Sequence, residues 1–236
     1  EALDKLLQKR SEPAPLATKE ITLPEYAEHE VGMIPQLAAR FETAAQLPGA
    51  EYLAKLRYLI LPIREADAVP QPLRCKTLLE LPRAAFGTVE PDTMRRLAAL
   101  EGSDFAGVVA NNLAQFGYAS PLPVFGGLGL NVTNPMSAAE YVCLGARGLL
   151  VQPETALTAM RAVAPRQKDG TPVPTAALCY GHLPLMLTRA CPLRNVRTSC
   201  AGCTHKGKLR DRKGRDFPVR CSAPGSAGMR TVFNPV

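Results

Sequence analysis

The chain of 236 residues is 46% hydrophobic and 21% charged, which is an ordinary composition for a globular protein. No apolar run reaches the length of a membrane-spanning helix, so the composition argues against a membrane protein. The seven cysteines are an odd number and no secretory signal is visible, which favours a reducing, cytoplasmic location. The chain begins at Glu1 without an initiator Met, within a helical pattern, and we expect a fragment or a processed product.

The first 57 residues are predicted to be mainly helical. Helices are expected over residues 1–10 and 50–57, with a short strand at residues 21–23. Residues 35–47 are amphipathic, because apolar side chains recur there at helical spacing, and they predict a further helix. The apolar side chains in question are Leu37, Ala38, Phe41, Ala44 and Ala45.

From residue 58 onward, short apolar runs alternate with helical patterns. Such runs are typical of strands that are buried on both faces. The predicted strands lie at residues 58–63, 75–81, 105–110, 122–132, 148–151 and 176–180, and the predicted helices at residues 93–100, 113–118, 135–144 and 155–163. This order predicts an α/β protein with a TIM-barrel-like parallel barrel. Because we predict six strands rather than eight, we expect the barrel to be incomplete.

Polar side chains follow four of the predicted strands. In a barrel, residues at the carboxyl ends of the strands line the functional mouth, so these side chains are candidates for one shared site. Each one taken alone is better explained as a loop residue or a helix cap, and it is their recurrence after four successive strands that suggests a shared site. The residues are Asn111, Asn112, Asn131, Asn134, Gln152, Glu154, Tyr180 and His182.

Residues 191–221 hold four of the seven cysteines, namely Cys191, Cys200, Cys203 and Cys221. Cys200 and Cys203 form a C-x-x-C pair, a spacing that lets two thiolates face one metal ion. Four thiolates suit tetrahedral zinc or an iron–sulfur cluster, and a single short pair with two outlying cysteines favours the cluster. A redox dithiol and two buried structural cysteines are the alternative readings of the pair.

The same segment is strongly basic. Residues 194–220 carry nine Arg and Lys side chains against only Asp211 and Asp216. A basic patch suggests an anionic partner, with RNA as the leading candidate. Alternatively, the cations only compensate the negative charge of an all-thiolate cluster.

Several segments taken in order resemble the collagenase-like peptidases, peptidase family U thirty-two. They are LNVTNPMSAAEYVCLGARGLLVQPE at residues 130–154, YGHLPLMLTRACPL at 180–193, the C-x-x-C pair, LRDRKGRDFPVRC at 209–221 and FNP at 233–235. The resemblance is strongest over residues 105–235 and weak before residue 58. The family's usual opening strand, which ends in Pro-Ala-Gly, is absent, and the chain resembles the later portion of longer members.

The resemblance implies a barrel-like domain followed by a cysteine-rich segment. It implies a 4Fe–4S cluster held by Cys191, Cys200, Cys203 and Cys221, with zinc as the alternative metal, and it leaves Cys75, Cys143 and Cys179 as core residues. We expect three regions: a helical segment at 1–57, the barrel-like domain at 58–188 and the metal-binding segment at 189–236. A missing N-terminal module or a partner subunit would complete the site.

Three functions follow as expectations. The resemblance favours oxygen-independent hydroxylation of transfer RNA, ribosomal RNA or a related aromatic substrate, with Glu154 and His182 as proton-transfer groups and Arg189 holding an anion. For His182 by itself, a structural role is slightly favoured over a catalytic one. A collagenase-like peptidase is the second candidate, although no H-E-x-x-H or G-x-S-x-G motif is present and a Cys179–His182 dyad is poorly oriented on a strand. A non-enzymatic, metal-braced RNA-binding module is the third.

Overall fold

The computed structural model describes residues 1–12, 34–118, 120–195, 200, 203–222 and 228–235. Two sheets organise these residues, a parallel sheet of seven strands and an antiparallel sheet of four. The parallel strands are β1 (Leu37–Arg40), β2 (Leu56–Pro62), β3 (Thr77–Glu80), β4 (Gly107–Ala110), β5 (Val124–Gly126), β6 (Ala146–Val151) and β7 (Thr175–Ala177). The helices are α1 (Ala2–Ser11), α2 (Ala50–Leu53), α3 (Gln71–Arg74), α4 (Val89–Ala98), α5 (Pro135–Cys143) and α6 (Leu157–Ala162).

The seven parallel strands lie side by side in chain order, from β1 at one edge to β7 at the other. Each strand is hydrogen-bonded to the next, and no pairing within the described residues joins β7 back to β1. Sequential parallel strands with helices or 3-10 turns between them are the layout of an α/β barrel. The mixed α/β class is therefore confirmed, and the open sheet is consistent with the predicted incomplete barrel.

Apolar runs account for the central strands. All four residues of β4 are buried, and Leu59, Leu61 and Leu79 on β2 and β3 have no exposed surface. Each such leucine contributes about 1.5–3 kcal/mol through removal of its side chain from water. The largest apolar cluster packs β2, β3 and β4 against α4 and the turn Ile63–Ala68, and a second cluster packs β6 against α5. The six strands predicted between residues 58 and 180 correspond to β2 to β7.

The helix predicted over residues 35–47 is wrong. Residues Leu37–Arg40 form β1, which pairs in parallel with β2, and Ala44–Gln46 form one 3-10 turn. Thr43 and Gln46 close that turn with a capping box, and Phe41 packs against the largest apolar cluster. Pairing along the exposed edge of β2 outweighs the local helical spacing, because that spacing carries no information about a distant strand. The strand predicted at residues 21–23 lies outside the described residues.

The second sheet contains β8 (Pro184–Thr188), β9 (Lys206–Arg210), β10 (Asp216–Cys221) and β11 (Arg230–Phe233). Its strand order is β8, β11, β10 and β9, with every neighbouring pair antiparallel. Val219 and Val232 pair on its buried face, and Leu193 covers Gly207. The sequence indicated only a cysteine-rich segment from residue 189, and the boundaries of the three predicted regions remain a prediction.

Gly129 fixes a close approach between two loops at the carboxyl end of the parallel sheet. A Cβ atom at this position would lie 2.0 Å from the carbonyl oxygen of Asn111, just past β4. The Gly129 N–H donates to Oδ1 of Asn111 over 3.2 Å. Backbone atoms on both sides leave no flexible group to move aside, so only glycine fits.

We expect Gly129→Ala to lower the free energy of unfolding by roughly 1–3 kcal/mol, because the added methyl group forces the two loops apart. Urea unfolding followed by circular dichroism measures the change. Gly117→Ala is the matched control, because a Cβ at Gly117 meets no atom within 4 Å. Equal stability of the two variants would contradict the close approach.

Candidate functional site at the carboxyl edge of the parallel sheet

A network of charged side chains lies where β1 and β3 end. Arg40, the last residue of β1, donates through Nε to Oε2 of Glu80 over 2.7 Å and through Nη1 to Oε1 of Glu42 over 2.7 Å. Glu80 is the last residue of β3. Arg64, which follows β2, donates to the Glu42 carbonyl oxygen over 3.3 Å. The network therefore joins the ends of three parallel strands at the edge where ligands bind in this fold class.

Asn111 extends the network to β4. Its side chain is buried, and its Nδ2 group donates to Oε1 of Glu80 over 3.3 Å and to the Leu81 carbonyl oxygen over 3.1 Å. Its backbone N–H donates to Oε1 of Gln115 over 2.6 Å. Among the contacts of the described residues, Asn111 is thus the member of the predicted mouth that reaches the charged network.

Neighbouring charges shift the pKa of Arg40 and of Glu42 toward their ionised forms. Burial alone lowers the pKa of Arg40, but Glu80 and Glu42 outweigh burial and raise it. Burial alone raises the pKa of Glu42, but Arg40, Arg64 and Arg220 together hold it below its ordinary value. Arg220 belongs to β10, so its effect on Glu42 indicates that the second sheet lies close to this edge.

Most of the other polar residues predicted at the mouth have local structural roles. Asn112 and Asn134 accept backbone hydrogen bonds from Gln115 and Ser137 as N-caps. Asn131 has a φ of 51° in the left-handed region and accepts a hydrogen bond from Nε2 of Gln152 over 3.2 Å. For Asn112 and Asn134, the alternative interpretation as helix caps is therefore confirmed.

The three predicted catalytic residues lie in separate surroundings. Glu154 is exposed in the turn after β6. Nδ1 of His182 lies 3.0 Å from the Asn234 carbonyl oxygen, and its ring meets Phe233 edge-on. The Arg189 guanidinium lies 5.4 Å from the ring centre of Phe86, in the loop after β3. None of the described contacts joins any two of these three residues.

His182 and Cys179 do not form a described contact either. The imidazole is held by the backbone of residue 234, and Cys179 is exposed two residues past β7. A nucleophilic dyad needs a base within hydrogen-bond reach of the thiol. The described residues therefore give the peptidase interpretation no support at this position.

The four motif cysteines lie toward one end of the second sheet. Cys221 ends β10, and its N–H donates to the His205 carbonyl oxygen just before β9. The Cys203 N–H donates to the Cys200 carbonyl oxygen over 3.1 Å, so the C-x-x-C pair forms a turn ahead of β9. Cys191 follows β8. On that strand Thr188 pairs with Arg230 of β11, and Arg230 also pairs with Cys221 of β10, so Cys191 and Cys221 lie toward the same end of the sheet. Strands with alternating direction bring these distant positions to the same end.

Thiols are the ligands that soft metals prefer, so the chemistry of the four cysteines suits such a metal. The Cys203 sulfur accepts the His205 N–H over 3.4 Å. His205 adopts a φ of 58°, a left-handed conformation that turns the chain beside that sulfur. Among the described residues, no three His, Cys, Asp or Glu side chains converge tightly enough to hold an ion.

The expectation that Cys75, Cys143 and Cys179 are core residues is wrong, because all three are exposed. Cys75 follows the short helix α3, and Cys143 is the last residue of α5. These cysteines were expected in the core because they fall outside the motif, but Cys179 lies in the loop two residues past β7 and none of the three is buried. These three thiols are useful controls for the motif cysteines.

The basic side chains of the second sheet are concentrated on the hairpin that joins β9 and β10. Lys208 and Arg210 both pair with Asp216, at 2.6 Å and 2.7 Å. These ion pairs hold the pKa of Asp216 well below its ordinary value, with the Arg210 hydrogen bond as the largest cause. Within the described residues the turn cations have no acidic partner. They are Arg212, Lys213 and Arg215.

The charged network at β1 and β3 was missed by sequence reasoning. Glu80 is a polar residue at the end of an apolar run, and the same feature made Asn111 a candidate site residue. The strand predicted at residues 75–81 ends one residue after Glu80, and this prediction makes Glu80 an internal strand residue. Arg40 and Glu42 were hidden by the incorrect helix over residues 35–47.

No protein-family model matches the chain, and no curated protein sequence matches it significantly. Among solved structures, the U32 peptidase Mk0906 is similar over 59% of this chain and 71% of its own length, at 13% sequence identity and a TM-score of 0.40. This similarity is too distant to assign a family or an activity. Within the described residues, no helix has the length and apolar character needed to cross a membrane.

We expect Glu42→Gln to lower the free energy of unfolding at pH 7 by about 0.5–1.5 kcal/mol. The effect is this small because the Arg40–Glu42 ion pair is partly exposed and solvent screens it. Because the folded-state pKa of Glu42 is depressed, its contribution is full above an unfolded-state pKa of about 4.3 and is lost as the pH falls through the folded value. The difference between wild type and variant should therefore shrink below about pH 4.

Urea unfolding at a series of pH values measures this difference. Glu101→Gln is the matched control, because Glu101 is exposed and none of the described ion pairs includes it. A difference between Glu42→Gln and wild type that does not change with pH would contradict the ionised network.

Proposed function

We propose that the second sheet is a thiolate metal site set beside the mouth of the parallel sheet. The metal is a 4Fe–4S cluster, with zinc as the alternative, and the ligands are Cys191, Cys200, Cys203 and Cys221. The observation that carries the proposal is that strand pairing brings cysteines separated by up to thirty residues to one end of this sheet. That end adjoins the charged network through Arg220 and the β3–α4 loop through Arg189.

The proposed activity is oxygen-independent hydroxylation of RNA or a related aromatic substrate. Hydroxylation without O2 removes two electrons from the substrate, and a bound cluster would accept and pass on such electrons one at a time close to the mouth. The network residues Arg40, Glu42 and Glu80 form a polar wall, while Glu154 and His182 are candidates for proton transfer. Undiminished product from Glu154→Gln and His182→Gln in a reconstituted assay would remove those two roles.

The placement of the basic hairpin favours RNA over simple charge compensation. β9 runs from Lys206, near the cysteines, to Arg210 at the far end of the sheet. At about 3.4 Å per residue, the turn cations lie roughly 14 Å beyond the start of β9. That distance exceeds a Debye length of about 8 Å, so these cations stabilise a cluster at the cysteine end only weakly. They are free to contact phosphates.

A partner subunit or a further module is also part of the proposal. The edge strands β1 and β7 have no second strand partner among the described residues, and an apolar cavity of about 190 Å³ lies beside β7. The cavity is lined by Val151, Leu157, Met160, Arg161 and residues 175–177. It lies away from the charged network and has the character of a packing surface.

For the metal site, we expect anaerobically purified protein to contain iron and sulfide in near-equal amounts and to absorb visible light. Each single substitution of a motif cysteine should reduce the bound iron severalfold, because the three remaining thiolates hold the cluster weakly. The substitutions are Cys191→Ser, Cys200→Ser, Cys203→Ser and Cys221→Ser. Cys75→Ser, Cys143→Ser and Cys179→Ser are matched controls and should leave iron unchanged. A colourless protein with one zinc would select the alternative metal, and unchanged metal in all four motif variants would contradict the ligand set.

For the basic hairpin, we expect RNA affinity to fall steeply with salt. Replacing Arg212, Lys213 and Arg215 together by Gln should reduce the slope of log affinity against log salt by about 2, because each lost phosphate contact removes roughly 0.7. Fluorescence anisotropy with a single-stranded RNA measures the slope. The charge-matched control replaces Lys5, Lys9 and Arg10 of the exposed helix α1. Equal slopes for the two variants would contradict a role for the hairpin.

A further inference from the structure

Arg83 is a charged residue at the mouth that lies outside the charged network. It lies in the loop after β3, where it is half-buried, and its carbonyl oxygen accepts a hydrogen bond from Nδ2 of Asn112 over 3.3 Å. That bond fixes the backbone from which the side chain extends. Among the described residues, no hydrogen bond or ion pair reaches the Arg83 guanidinium.

Glu80 is the nearest source of negative charge, but its oxygens are engaged elsewhere. Oε2 accepts from Arg40 over 2.7 Å, and Oε1 accepts from Asn111 over 3.3 Å. Burial lowers the pKa of Arg83, and Glu80 offsets this only in part. A half-buried cation without a hydrogen-bonded counterion carries a desolvation cost that an incoming anion would relieve.

Two other arginines at the same edge are already paired with carboxylates. Arg40 pairs with Glu42 and Glu80, and Arg64 pairs with Glu42 and Glu65. The loop that carries Arg83 also carries Phe86, whose ring is covered by the Arg189 guanidinium. The carboxyl edge of a parallel α/β sheet is where ligands bind. An anion that enters there would therefore meet the Arg83 guanidinium, which no described hydrogen bond or ion pair engages.

We propose that Arg83 binds a phosphate group of a nucleotide that enters the mouth. Its planar guanidinium presents paired N–H donors that match two oxygens of a phosphate. The choice of phosphate over other anions rests on the proposed RNA function. The phosphate at Arg83 is distinct from those at the hairpin, because the hairpin lies at the far end of the second sheet from the cysteines, whereas Arg83 lies in the mouth.

Isothermal titration in a phosphate-free buffer tests the assignment with inorganic phosphate, uridine monophosphate, uridine and a short single-stranded RNA. We expect uridine monophosphate to bind and uridine to bind at least tenfold more weakly. Arg83→Gln should weaken the nucleotide at least tenfold, because it removes a charge-assisted bidentate contact. Arg83→Lys should recover part of the affinity, because it restores the charge without the paired donors. Arg10→Gln is the charge-matched control and should bind like wild type.

Several outcomes would overturn the assignment. They are equal affinity for uridine and uridine monophosphate, equal nucleotide affinity in Arg83→Gln and wild type, and equal losses in Arg83→Gln and Arg10→Gln. Binding of inorganic phosphate and of the nucleotide without any binding of RNA would support Arg83 while contradicting the RNA function. RNA binding that depends on the hairpin but is unchanged in Arg83→Gln would contradict the Arg83 assignment and leave the RNA function standing. Thermal melting of each variant establishes that it is folded.

Discussion

The end of the parallel sheet where the site lies depends on the hydrogen bonds that the Glu80 side chain accepts. One oxygen accepts from Arg40 on β1, and the other accepts from Asn111 after β4, so one side chain at the end of β3 joins three strand ends. The ion pair is partly buried, and such pairs contribute more to a unique arrangement than to net stability. These hydrogen bonds set the positions of the three strand ends relative to one another.

The second sheet separates two kinds of chemistry along its length. Antiparallel pairing brings the thiols to one end and the unpaired turn cations to the other. Arg220 and Arg189 connect the thiol end to the parallel sheet through Glu42 and Phe86. The proposed metal site beside the mouth, together with the cationic hairpin that extends away from it, is the arrangement from which we propose a long anionic ligand that contacts both places.

The sequence predicted the buried strands because β2, β3 and β4 are apolar on both faces, and that pattern follows from burial alone. It failed at residues 35–47, where helical spacing was present but pairing with β2 decided the outcome. It also did not reveal the second sheet, whose strands β9 and β10 are rich in charged residues and lack a continuous apolar run. In the site, Asn111 was found by its position after a strand, whereas Arg40 and Glu42 lay in the segment that was assigned to a helix.

The sequence by itself determined the α/β class and the parallel sheet, because both follow from the alternation of local apolar runs with helical patterns. Tertiary structure alone decided which charged residues meet. Glu80 and Arg40 are forty residues apart, and only the parallel register of β1, β2 and β3 brings their side chains within hydrogen-bond distance. The exposure of Cys75, Cys143 and Cys179 was decided in the same way, because the side of an element that faces the core depends on what packs against it.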